Sequence, residues 1–227
     1  MRLPAPLPSS ATSPFRARRR LSLVAVATGV VGTAVLGLSM TSSLAAFTAS
    51  ITNSINTAAA GTVIMQEQNA AGTVTCLSTD GSGNNVTNNT ATCSTINKYG
   101  GSTTMVPGQT VSTTITIKNT GTATVSGFSL APSTCTQSGN VTGSATDMCA
   151  KLGVVLTQTT AAGVASTITP TGSTLASLAT GGALALVAPV AAGATTTYKF
   201  DVTLAAAAGN TYQGLAASQP LVWTFTS

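Results

Sequence analysis

The 227-residue chain has no histidine and only four acidic residues, Glu67, Asp80, Asp147 and Asp201. Without an imidazole it cannot build a Ser-His-Asp triad, a Cys-His pair or a histidine-ligated zinc. Four widely spaced carboxylates leave little for acid–base or metal chemistry, so no catalytic site and no cofactor is expected. Arginine is also missing from the body: Arg2, Arg16, Arg18, Arg19 and Arg20 all precede Leu21. Beyond Ala45, Lys98, Lys118, Lys151 and Lys199 face the four acids, so that part carries no net charge. Nucleic-acid affinity rests largely on neutralised phosphates, and a neutral, arginine-free body excludes it. Aromatics are few, with one Trp, three Tyr and five Phe, which argues against an aromatic-rich ligand groove.

What is present begins with an address. Pro, Ser and the cluster Arg16–Arg20 precede an apolar run from Leu21 to Leu38, and small residues follow from Ser39 to Ala46. This charged, apolar and small-residue order is that of a secretory signal. Residues 1–45 are therefore expected to be a signal peptide cut between Ala45 and Ala46. An uncleaved membrane anchor is the rival reading, because the run is about long enough to span a bilayer. Gly29, Gly32, Thr33 and Gly37 dilute it, and Arg19-Arg20 also permits a twin-arginine reading.

Four cysteines, Cys76, Cys93, Cys135 and Cys149, lie beyond the signal. An even number in an exported chain reads as a disulfide framework, and no C-x-x-C spacing offers a metal site. Of the three connectivities, neighbour pairing, Cys76–Cys93 and Cys135–Cys149, closes two short polar loops. Within the first, Asp80-Gly81-Ser82-Gly83-Asn84 opens like a calcium loop but lacks the closing glutamate, and it reads as a hydrated turn. Asn85, Asn88 and Asn140 open glycosylation triplets of the kind that arise by chance in Asn/Thr-rich sequence.

The body is rich in Ser, Thr, Gly and Ala, with short alternating segments. Thr62–Glu67 is a strand candidate. Val111–Lys118 places Val111, Thr113, Ile115 and Ile117 on one face. Asn119-Thr120-Gly121-Thr122 breaks the chain before Val125–Leu130, as a hairpin or tight corner. Val154–Leu156, Ala183–Val187, Thr196–Leu204 and Leu221–Phe225 complete the set. Tyr198, Phe200, Val202 and Leu204 should face the core, and Trp223 with them. Ala161–Gly193 reads either as strands and loops or as an exposed apolar patch for a neighbouring subunit. The expected fold is all-β, a single jelly-roll-like β-sandwich over 61–227, preceded by an extended segment, 46–60.

Four segments together resemble the TasA/camelysin family of secreted bacterial biofilm-matrix fibre proteins. They are Leu44–Ser50 at the signal exit, Thr57–Met65, the Pro-Gly turn and strand from Val106 to Gly121, and Asn210–Gly214 before the last strand. The resemblance implies a jelly roll, export, and assembly into extracellular fibres in which an N-terminal segment completes the next subunit's sheet. Ala46, Phe47, Ala49, Ile51 and Ile55 are the residues expected to carry that donation. Their alternation agrees with an extended strand, which folds either into its own sheet or onto another copy. The protease label attached to camelysin finds no His-Glu-x-x-His here, and Glu67 alone cannot both hold zinc and act as base. A lysine crosslink would need Lys118 or Lys199 beside Glu67 or Asp201.

The expected function is a secreted structural subunit that self-assembles head-to-tail at the cell surface or in a matrix. It is not an enzyme, its chief partner is itself, with an accessory anchoring or nucleating protein as a second partner. Membrane contact is confined to the signal before cleavage. A monomeric adhesin or binding module is the alternative.

Overall fold

The computed structural model describes Ile51, residues 57–82 and residues 89–227. The chain divides into two units, Met1–Thr57 and Ala58–Ser227. The signal segment, the cleavage pair Ala45 and Ala46, and the donor residues Phe47, Ala49 and Ile55 lie outside the described residues, as do Asn85 and Asn88.

The second unit is built mostly from antiparallel strands. Its largest sheet has six, in the order β2-β1-β3-β9-β6-β7. These are β1 (Met65–Asn69), β2 (Thr75–Leu77), β3 (Thr110–Asn119), β6 (Leu152–Thr159), β7 (Ala165–Thr167) and β9 (Thr195–Leu204). The pairing of β3 with β9 is central, with Ile115 opposite Tyr198 and Thr113 opposite Phe200. Strict alternation along Tyr198, Phe200, Val202 and Leu204 buries all four, because successive strand side chains point to opposite faces. Burial of Phe200, Val202 and Leu204 stabilises the fold by roughly 1.5–3 kcal/mol per side chain.

A three-stranded sheet, β11-β4-β8, packs across this face, and a two-stranded ribbon, β10-β5, accompanies it. The three-stranded sheet comprises β4 (Gly127–Pro132), β8 (Leu184–Ala185) and β11 (Leu221–Thr226); the ribbon comprises β5 (Thr136–Ser138) and β10 (Ala216–Ser218). Phe128 of β4 meets Tyr198 edge-on at 5.7 Å between ring centres, and Trp223 of β11 lies 4.8 Å from Tyr198. These contacts join the layers into a β-sandwich. Two short helices, α1 (Met148–Lys151) and α2 (Leu175–Thr180), bury Met148, Leu175 and Leu178 in the same core.

The break at Asn119 is a corner between sheets and not a hairpin, since β3 and β4 belong to different sheets. Buried Asn119 donates from Nδ2 to the Ala123 and Val190 carbonyls (2.8 and 3.1 Å) and accepts from the Gly121 N–H at Oδ1 (3.1 Å). The incoming chain is stitched to this corner: Thr122 and Ala123 N–H groups both donate to the Thr62 carbonyl, and Thr120 N–H donates to that of Ile64. Those bonds hold 62–64 beside the corner, so the first strand starts at Met65 and not at Thr62. The polar run between Cys135 and Cys149 contains β5 and the start of α1, where a plain loop was expected. Within Ala161–Gly193, α2 is capped by Thr174, whose side chain accepts from Ser177 N–H while the Ser177 hydroxyl accepts from Thr174 N–H. Leu186 and Val190 are buried, while Val164 and Val187 are exposed, so the apolar content of this stretch is divided between core and surface.

Gly121 approaches the incoming chain so closely that a Cβ would stand 2.2 Å from the Thr62 carbonyl oxygen and 2.8 Å from the Ile64 nitrogen. Gly121→Ala is expected to lower stability by at least about 2 kcal/mol, because backbone on both sides must shift. Urea unfolding followed by circular dichroism checks it, and an unchanged midpoint would contradict the corner's role.

Candidate functional site

Sheet edges are where main-chain donors and acceptors lack partners, and proteins usually shorten or cover them. Here β7 spans three residues and β8 two. The three-residue β2 is tied by the Cys76–Cys93 disulfide to the segment after it. The exception is β11, six residues long and, among the described residues, paired on one side only, with β4. Ser133 N–H donates to the Pro220 carbonyl (2.8 Å), and Leu186 N–H donates to the carbonyl of Phe128, the residue opposite Phe225. In an antiparallel ladder bonding direction alternates along the strand. The N–H and C=O groups of Leu221, Trp223 and Phe225 therefore point away from β4, and among the described residues none of these groups has a partner.

Beside this edge lies a groove of about 940 Å³, bounded by β1, by the irregular segment from Thr90 to Met105, and by residues 212–225. Val63, Met65, Ile96, Met105, Trp223 and Phe225 give it an apolar lining. Met148 lines it too, so all three methionines beyond the signal segment gather here. Thioether side chains adapt to whatever packs on them, and of the three Met148 is buried while Met65 and Met105 are half-buried. Trp223 Nε1 is buried without a hydrogen-bond partner among the described residues, an orphan donor of the kind that costs about 1–3 kcal/mol.

The far wall is tied down at three points. Cys76–Cys93 anchors its start. The Tyr99 hydroxyl donates to Gln219 Oε1 (2.8 Å), while Gln219 Nε2 holds the Ser133 and Leu175 carbonyls (2.7 and 3.0 Å). Between them Lys98 Nζ lies 2.7 Å from Glu67 Oε1, with side chains 12% and 8% exposed. Burial pushes the Glu67 carboxyl above its ordinary range, and Lys98 opposes this without cancelling it. Burial likewise raises the Tyr99 hydroxyl.

Of the residues singled out in sequence, Cys76 is bonded to Cys93 and Cys135 to Cys149. The second bond fastens the residue before β5 to α1. Two such links are consistent with an oxidising compartment. Ile51 is fully exposed. Trp223 was expected in the core; its indole packs on Tyr198 and Phe200, yet it is only half-buried and forms part of the groove wall. Lys199 pairs with Asp201 on the surface, and Lys118 stands opposite Gln66, so neither approaches Glu67. Lys98 and the Tyr99–Gln219 clasp were not anticipated, since no periodicity surrounds Asn97–Gly101. Among the described residues no three His, Cys, Asp or Glu side chains could share a metal, and no helix is long and apolar enough to cross a membrane.

No protein-family model matches the chain, and no curated protein is found to be similar to it.

The titratable side chains lining the groove are Glu67, Lys98, Tyr99 and Tyr212. Removing one partner of a buried pair strands the other charge, so Lys98→Met should cost about 3–5 kcal/mol at neutral pH. A carboxyl whose folded pKa is raised binds its proton more tightly folded than unfolded. Its contribution to stability is therefore greatest at acid pH and falls as pH rises through the folded value. The Lys98→Met loss should accordingly be small in acid and full at neutrality, and Glu67→Gln combined with Lys98→Met should recover most of it. Urea denaturation across pH checks this; a pH-independent loss would contradict it.

Proposed function

We propose that the chain is a secreted structural subunit of the TasA/camelysin type that assembles head-to-tail into extracellular or cell-surface fibres. Residues 46–60 of one copy, led by Phe47, Ala49, Ile51 and Ile55, add as a strand to the β11 edge of the next and lay their side chains in the adjoining groove. The observation that carries this reading is the six-residue unpaired edge of β11 beside an apolar groove. Added backbone satisfies the outward groups of Leu221, Trp223 and Phe225, and alternate side chains fill the space below. Head-to-tail contacts of this kind do not close, so they propagate.

The sandwich is, on this reading, a jelly roll. In support, the strands β3, β4, β6, β8, β9 and β11 alternate between the six- and three-stranded sheets along the chain, as successive crossings of a wound sandwich do. Export rests on the Arg16–Arg20 cluster, the apolar run after it and the small-residue exit. Absence of net charge beyond Ala45 leaves little like-charge repulsion against close packing of copies. An anchoring or nucleating protein would start the fibre.

Met105 lies on the groove wall, half-buried and outside any strand. Met105→Glu places a charge where the added strand must pack. It should leave thermal stability within about 1 kcal/mol of the parent while keeping the protein monomeric by sedimentation velocity under conditions where the parent assembles. Undiminished assembly of the variant would remove the groove from the mechanism.

A further inference from the structure

The groove has two distinguishable ends, and the point where the chain joins its own domain lies at one of them. Thr226 accepts through its carbonyl from Ser126 N–H (2.8 Å), three residues after Ala123 in the corner. The corner in turn holds Thr62 and Ile64 by main-chain bonds, and a Cβ on Gly61 would touch Ala123 Cβ at 3.0 Å. The N-terminal segment therefore leaves the domain beside the C-terminal end of β11. The opposite end, at Leu221, is bounded by the Tyr99–Gln219 clasp.

Resting on the fibre reading, we infer that the second copy's segment docks on β11 in the antiparallel direction, with Phe47 towards Phe225 and Ile51 towards Leu221. In that direction the donor's own domain emerges at the Leu221 end of the acceptor. The acceptor's own segment leaves from the other end, at the corner, and is free to find a third copy. Each domain then receives at one pole and donates at the other, which is the condition for an open filament.

The parallel direction gives a different object. The donor's domain would emerge at the corner, where the acceptor's segment also starts. Each of the two copies would then face the other's groove across a two-fold axis, and reciprocal exchange would close a dimer. Pairing energetics favour the same choice. Antiparallel ladders bond slightly better per residue than parallel ones, and every strand pair among the described residues is antiparallel. A segment folding back on its own β11 from the corner would run parallel to it. Exchange between copies is thus the route to the better ladder, and docking direction decides between filament and closed dimer.

The test uses the chain from Ala46 to Ser227 with a photo-reactive phenylalanine analogue at position 47 or at position 51. The protein is assembled, irradiated, and the crosslinked peptides are sequenced by mass spectrometry. Antiparallel docking predicts that position 47 marks Phe225–Thr226 and position 51 marks Gln219–Val222, in intermolecular products that extend into ladders. The reverse pattern overturns the inference, as does a product that stops at the dimer; filaments with the reversed pattern leave the fibre reading standing. No intermolecular crosslink to β11 from either position overturns both.

Discussion

A strand whose main chain is half satisfied is the constraint around which this fold is organised. Hydrogen bonds that an edge does not make within the molecule are made with water or with another chain. The other edges are kept short or tied, as at β7, β8 and β2, but six-residue β11 leaves the outward groups of Leu221, Trp223 and Phe225 unpaired among the described residues. Leu221, Trp223 and Phe225 turn their polar groups outward and their side chains towards the aromatic cluster of Phe128, Tyr198 and Phe200. The same three residues thus hold the layers together and present the edge. An apolar side chain added beside them extends a core that is already in place.

The groove stays open because its far wall is braced from outside. Irregular backbone between Thr90 and Met105 would collapse onto Trp223 if it were free, since burying that apolar surface is favourable. Cys76–Cys93, the buried Glu67–Lys98 pair and the Tyr99–Gln219 clasp fix it at separate points. A buried ion pair is a weak stabiliser but a directional one, so its use here fits a role in holding one segment at a set distance from β1. At the other end the Asn119 corner does comparable work. It turns the chain between sheets and sets the pole from which the N-terminal segment departs.

Much of the sheet framework was legible because period-two alternation is a strong signal when one face is buried. Tyr198 to Leu204 and Val111 to Ile117 fell on the faces their spacing required, and the Pro-Gly turn before β3 closes with Gly108 at φ +82°. The helix at Leu175 was missed because its capping box uses Ser177 where a glutamate or glutamine is the usual marker. Strand β1 began late because main-chain bonds to the corner, which leave no trace in local sequence, claimed Thr62 to Ile64. The edge itself was invisible: whether β11 has one neighbour or two is decided by topology, not by Leu221–Thr226. The Lys98 partner of Glu67 was equally hidden, since a lone lysine in an irregular segment gives no pattern.

The central claim is that an N-terminal strand from one copy completes the open sheet of another. Negative-stain electron microscopy of residues 46–227, beside the same chain lacking 46–60, tests it most directly. The account predicts filaments from the longer chain and dispersed, folded monomers from the shorter one. Filaments from both, or monomers from both, would contradict it.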